Sequence, residues 1–295
     1  MQSDPAAKTS GDKGDPRRRF VKVPLVQIDA FAGALFEGNP AAVMSLPEWL
    51  PDEVLQQVAM ENNLSETAFL VKSLPAGIQA PDPAHPSYHL RWFTPAVEVD
   101  LCGHATMAAA SYLFDDSHPE AEKLQFHTRS GYLSVTRSAG GRYTMDFPSE
   151  IPVPVAIDPD IVKALGVPVT EALKATDLIY MVQDPQTVID LAPDLTFLAA
   201  LPVRGTIVTA PGTGTEYDFV SRWFGAEAGV AEDPVTGSAH CQLAPLWAER
   251  LGKDQMLARQ ASARGGTVSI DFEGERTRLT GRCVRFMEGT AFLPR

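Results

Sequence analysis

Two stretches of this chain are built alike. One runs from Arg91-Trp92-Phe93 to Asp100-Leu101-Cys102-Gly103-His104-Ala105-Thr106, and the other from Arg222-Trp223-Phe224 to Asp233-Pro234-Val235-Thr236-Gly237-Ser238-Ala239-His240. Each passes an acid, reaches Gly-X-Ala and enters a long apolar helical run. The arginine lies 12 residues before the glycine in the first and 15 before it in the second. A strand that turns through glycine into a helix presents free backbone N–H groups at the helix start. Two such turns, one per half, can face each other across a cleft and grip a small anionic molecule from both sides.

The length of 295 residues favours two domains. Hydrophobic residues at 44% and charged residues at 21% provide enough apolar material for a sizeable core. The net charge of -12 argues against a nucleic-acid partner, because a phosphate backbone needs a basic face. No apolar run reaches transmembrane length, so no membrane partner is expected. Cys102, Cys241 and Cys283 cannot all pair and read as reduced thiols of a cytoplasmic protein. Without a CxxC or a His/Cys cluster, no structural metal is expected. Residues 1–20 are polar and read as a disordered tail. Its end, Arg17-Arg18-Arg19-Phe20-Val21-Lys22, superficially resembles a twin-arginine signal, but Gln27 and Asp29 interrupt the stretch that would be its apolar core.

Patterning predicts strands at 21–31, 66–71, 88–93, 124–127, 132–137 and 143–147, with Ala139-Gly140-Gly141 as a hairpin turn. Gly38-Asn39-Pro40 is a turn, and Pro51 opens a helix ending at Asn62-Asn63. The run 105–114 is apolar all round and reads as a central helix. The three prolines of 148–154 read as a linker. The second half repeats the plan: a helix at 159–165, strands at 177–183, 206–210 and 217–223, a second apolar helix at 238–251, then short strands. The fold class is α/β in the broad sense (α+β): two halves, each a mainly antiparallel sheet around a buried helix. The domains are 21–147, which the last strand can complete, and 148–295.

On its strand, Glu66 shares a face with Ala68 and Leu70. A carboxylate there would be partly desolvated, which suits a proton shuttle; it could equally be an exposed residue at a strand entry. His104 could touch a ligand or be satisfied by local backbone. Asp233 could cap its turn or face the cleft, and Ser238 could be an N-cap or add a hydroxyl to an anion site. Cys102, at a helix start, is a candidate base with a lowered pKa. A symmetric two-cysteine mechanism would need its partner where Thr236 stands, and Cys241 falls inside the helix. Gly212-Thr213-Gly214-Thr215 lacks the rest of a dinucleotide fingerprint, and neither a phosphate-binding loop nor a GxSxG elbow is present. No cofactor is expected.

Five ordered motifs then carry a resemblance. Gly38-Asn39-Pro40-Ala41-Ala42-Val43, Asn63-Leu64-Ser65-Glu66-Thr67-Ala68-Phe69, the Asp100–Thr106 run, Glu232–Ala239 and Gln260-Ala261-Ser262-Ala263-Arg264-Gly265-Gly266 together resemble the phenazine biosynthesis PhzF-like family over about residues 20 to 295. The resemblance implies two pseudo-symmetric barrels of diaminopimelate epimerase type with the active site between them. It implies cofactor-independent isomerisation in which a glutamate moves a proton between two carbons of a small carboxylate- or amino-bearing molecule. It places the catalytic roles on Glu66, His104 and Asp233, and substrate holding on Asn39, Gly103, Thr236, Gly237 and Ser238. A cysteine-based racemase, epimerase or dehydratase and a non-catalytic binding protein are the competing classes, and a homodimer is compatible with the sequence.

Overall fold

The structure, a computed structural model, describes residues 20–225 and 231–294. The tail expected at 1–20, with its arginine run, lies outside these residues except for Phe20. The first half comprises β1 (Phe20–Ala30), β2 (Asn39–Ser45), α1 (Asp52–Asn62), β3 (Glu66–Val71), β4 (Ser87–Phe93), β5 (Glu98–Val99), α2 (Gly103–Asp116), β6 (Lys123–Thr128), β7 (Gly131–Ser138) and β8 (Arg142–Pro148). There follow β9 (Val153–Val155), α3 (Pro159–Leu165), β10 (Glu171–Lys174), β11 (Leu178–Met181), α4 (Pro185–Ile189), α5 (Leu195–Ala199), β12 (Gly205–Pro211) and β13 (Phe219–Gly225). The chain closes with α6 (Gly237–Leu251), β14 (Gln255–Gln260), β15 (Gly266–Glu273) and β16 (Arg276–Pro294).

Local chemistry explains the boundaries that matter for the site. Asp52 and Glu53 occupy the first turn of α1, where the helix dipole favours acids, and Asn63 ends it at φ 49°. Strand β3 then alternates. Ala68 and Leu70 belong to the cluster around α2, whereas Phe69 and Val71 pack with Leu55 and Ala59 of α1 on the outer face. Glu66 opens the inward-facing row and pairs in register with Ala41 of β2, so it stands at the rim. Helix α2 is buried without a break from His104 to Phe114, as its all-round apolar sequence predicts. Each leucine or phenylalanine buried this way contributes about 1.5–3 kcal/mol.

The strands β1-β2-β3-β4-β6-β7-β8-β16 form a ring closed by the β1–β16 ladder, and α2 runs through it. From β16 a second path continues β15-β14-β13-β12-β11-β10-β9 and wraps α6. Among the described residues this second path ends at β9 without closing, and Pro154 in β9 suits an edge strand because it has no N–H to give a further neighbour. Ile161, Leu165, Val188 and Leu198 of α3, α4 and α5 cover its outer face. No helix among the described residues is long and apolar enough to cross a membrane.

Three features depart from the sequence expectation. The proline-rich stretch read as a linker contains β9, with Val153 to Val155 pairing on β10. The last strand is not short: β16 spans 19 residues and is shared by both halves. Gly281 interrupts its apolar pattern because a Cβ there would lie 2.4 Å from the Phe31 ring. Strands β5 and β10 and the short helices α4 and α5 have too little periodicity to be read in advance. Helix α6 also carries Pro245 in its interior. Proline cannot donate to the carbonyl four residues back, and the N–H of Glu150 donates to that carbonyl, Cys241 O, at 3.1 Å. The segment joining the halves is thereby tied to the central helix of the second.

Candidate active site

The starts of α2 and α6 line one cavity of about 410 Å³ between the two halves. Both are reached through an extended N-cap residue, Cys102 at φ -146° and Thr236 at φ -111°, and neither side chain caps its helix. The first N–H groups of each helix are therefore left to whatever enters the cavity. Gly103 and Gly237 have ordinary room for a Cβ, 3.4 Å from Phe147 and 3.6 Å from Leu279. Packing does not demand glycine at either position; its effect is to leave backbone bare at the cavity wall.

Glu66, His104 and Cys102 form a chain across the α2 end. His104 Nε2 lies 3.0 Å from Glu66 Oε2, and its Nδ1 lies 3.5 Å from Cys102 Sγ. Burial by itself disfavours an imidazolium at His104, but its hydrogen bond to the Cys102 sulfur and the adjacent Glu66 carboxylate outweigh it and raise its pKa well above the ordinary histidine value. Burial, reinforced by Glu66, pushes the Cys102 thiol up to about 11. The lowered pKa expected from its place at a helix start is thus reversed by desolvation, and the thiol is protonated at neutral pH. The three groups offer donor atoms within 4.8 Å of one another. A thiophilic cation held there would have to break the Glu66–His104 contact and displace the thiol proton, so the set fits acid–base chemistry better than metal binding.

Of the two roles open to Asp233 at the α6 end, the structure shows the cleft-facing one, with no backbone N–H of its turn capped by the carboxylate. It lines the cavity, and its carboxylate accepts from Asn39 Nδ2 at 2.7 Å and Thr236 Oγ1 at 2.5 Å. Desolvation raises its pKa to about 6 against the lowering effect of His104, with Glu66 adding to the rise. Asn39 is fully buried, lies behind Asp233 and also donates to Val235 O. Gln260 completes the support by donating to Asp233 O at 2.7 Å and accepting from Thr236 N–H at 2.8 Å. Thr236, Gly237 and Ser238 line the cavity with Gly103, His104 and Glu66. Ser238 is not the N-cap: it is the second helical residue, and its Oγ accepts from Arg204.

The structure also brings in residues that carry no local signature in the sequence. Arg204 lines the cavity, and its Nε donates to buried Asp177 at 2.8 Å while Nη2 donates to the second carboxylate oxygen. Asp177 and Arg204 are 27 positions apart with no local pattern between them. Phe147, Val97, Leu101 and Trp223 supply apolar wall. The two repeated arginines are structural twins. Arg91 grips Glu98 through two bonds of 2.7 Å, and Arg222 grips Glu232 through bonds of 2.6 and 2.9 Å. Each clamps the segment that leads into its helix, and the arginine-to-glutamate recurrence was the signal available for it.

Strand registers align the halves residue by residue. Thr67 faces Phe93 and Ala68 faces Trp92, while Thr206 faces Phe224 and Ile207 faces Trp223. The position matching Glu66 is therefore Gly205. A Cβ there would lie 2.4 Å from the Trp223 ring, so the indole fills the place a second acid would take.

Comparison with known proteins agrees with this architecture. Residues 28–289 match the PhzC-PhzF family, described as phenazine biosynthesis-like protein. An uncharacterized isomerase of Pseudomonas aeruginosa is 48% identical over 273 residues, covering 92% of this chain and all of that one. The human phenazine biosynthesis-like domain-containing protein is 37% identical over 294 residues, covering 92% of this chain and 99% of its own. The crystal structure of a PhzF-family phenazine biosynthesis protein from Enterococcus faecalis superposes with a TM-score of 0.84 at 43% identity, covering 92% of this chain and 99% of that one. A hydroxyproline epimerase from Agrobacterium vitis shares the fold alone, at a TM-score of 0.58 and 12% identity over 93% of each chain.

Proposed function

Because the chain belongs to the PhzC-PhzF family of phenazine biosynthesis-like proteins, we propose that it is a cofactor-independent isomerase in which Glu66 moves a proton between two carbons of a small carboxylate- or amino-acid-like substrate. The observation that carries this reading is the Glu66–His104 contact of 3.0 Å at a cavity where two uncapped helix starts meet, with Gly205 at the matching place in the second half. One base that removes a proton and returns it must do both on the same face of the substrate. Charge developing on the substrate meets the N–H groups at Gly103 and Gly237. His104 balances the Glu66 carboxylate, and Asp233 orients the substrate. Asn39 and Thr236 act through Asp233, and Ser238 contributes its hydroxyl. The same reading takes residues 21–147 and 148–295 as duplicated halves, with β16 completing the first.

The cysteine-based alternative is disfavoured, since a thiol with a pKa of about 11 is a poor base and Thr236 occupies the place of its partner. Deuterium incorporation tests the proposal. Incubation in D2O with dihydro-hydroxyanthranilate and a panel of small amino and cyclic carboxylic acids should show exchange into one of them. In Glu66→Gln that exchange should fall by roughly 100-fold or more while the fold is retained. Equal exchange in the variant would remove Glu66 from the mechanism.

A further inference from the structure

We propose that Arg204 and Ser238 form a dock for a carboxylate at the α6 end of the cavity, with Asp177 as the positioning residue that aims the guanidinium. The dock deepens the isomerase reading by assigning which end of the site holds the anionic group of the substrate. Binding of a carboxylate there does not itself depend on turnover.

Among the described residues lining the cavity, Arg204 is the single arginine or lysine. It does not wave freely at the surface. Its Nε and Nη2 engage both oxygens of Asp177, and its guanidinium lies 5.8 Å over the Trp223 ring. Asp177 has no solvent exposure and also accepts from Trp223 Nε1 at 3.1 Å and Gln242 Nε2 at 2.8 Å. Burying a carboxylate is costly unless its acceptor sites are filled. Here donors from three residues fill them, and what they hold in place is an arginine that reaches the cavity.

A guanidinium carries five N–H groups. Two go to Asp177 and one, from Nη1, goes to Ser238 Oγ at 2.8 Å. One N–H remains on each terminal nitrogen, the number of donors that bidentate pairing with a carboxylate uses. Ser238 accepts from the arginine, so its own O–H is free to donate to the same ligand. Glu150, another acid of the cavity wall, has one oxygen engaged elsewhere: its Oε2 accepts from Thr176 Oγ1 at 2.6 Å and from the Thr176 N–H. The neighbouring wall of Phe147, Val97 and Leu101 is apolar. The ligand class that fits is a carboxylate on an apolar body, anchored at α6 so that its carbon skeleton extends toward Glu66 and His104.

The test is binding of matched probes to the whole chain, followed by calorimetry. Benzoate and hexanoate are compared with benzamide and hexanamide, which differ from them in charge and little in shape. The wild-type protein should prefer each carboxylate over its amide by at least tenfold. Arg204→Gln should erase the preference, and Arg204→Lys, which keeps charge but loses the fork, should keep only part of it. Asp177→Asn should weaken carboxylate binding without changing amide binding. Thermal melts establish that each variant is folded, and Arg204→Gln decides the matter if the buried Asp177 variant does not fold. Glu66→Gln should retain the full preference, which separates failure of the dock from failure of the proton-transfer reading. An undiminished preference in Arg204→Gln, or no preference in the wild type, overturns the proposal.

Discussion

At the scale of residues, the fold moves the protonation of two groups near the start of α6, one in the cavity wall and one in the core, in opposite directions. Asp233 is raised to about 6 by desolvation, while buried His240 is lowered to about 4 for the same physical reason. His240 donates from Nδ1 to Thr236 O, so its Nε2 is the unprotonated nitrogen and faces the core. The two have opposite consequences for stability. The Asp233 contribution is full below its ordinary value of 3.8 and is lost as pH rises through about 6. The His240 contribution is present above 6.5 and is lost as pH falls toward about 4. Between those limits they partly cancel. Asp233→Asn removes one of them, so from pH 7 to pH 4.5 the variant should lose stability more steeply than the wild type. The difference in slope should be worth at most roughly 3 kcal/mol. Denaturant midpoints at the two pH values measure it, and parallel slopes would show that Asp233 is not desolvated as described.

At the scale of elements, the matching strand pairs β3–β4 and β12–β13 differ at one position that matters. Glu66 opens the first and Gly205 the second, with Trp223 laid over the glycine and pinned by Asp177. A side chain at 205 collides with the indole whatever its chemistry. Gly205→Ala should therefore destabilise the protein by about 1–3 kcal/mol, the usual cost of forcing atoms into a packed site. The same change should shift tryptophan fluorescence as Trp223 leaves Asp177. Unaltered stability and emission would mean that the indole is not packed over Gly205. Helix α6 follows the same logic of local exceptions with tertiary partners: Pro245 frees a carbonyl, and Glu150 from the joining segment takes it.

At the scale of the whole molecule, the halves do not have separate cores. One apolar cluster runs from Val26 and Ala68 through α2 to α6, Ile207 and Val268, and β16 belongs to both strand paths. Neither half can lose β16 or the α2–α6 contact without exposing the other. Urea unfolding should accordingly be one cooperative step, with tryptophan fluorescence and far-UV circular dichroism tracing the same curve. Two resolved transitions would show that the halves unfold as independent units.

The sequence by itself determined what depends on neighbours along the chain. The period of the apolar residues placed β3, α2, α3 and α6 almost to their ends, because hydrophobic periodicity and turn residues act locally. The repeated Arg-Trp-Phe to Gly-X-Ala pattern made the likeness of the two halves visible, and the ordered motifs pointed to Glu66, His104 and Asp233. What it could not contain is pairing across long separations. Asp177 with Arg204, Asn39 with Asp233, Gln260 with Thr236 and the return of β16 onto β1 each join positions with no shared local pattern. Their place was decided only when the barrel closed and buried them together. Cys102 shows the difference most plainly: its position at a helix start argues for a lowered pKa, and the tertiary environment, by removing water from it, pushes the thiol up to about 11 instead.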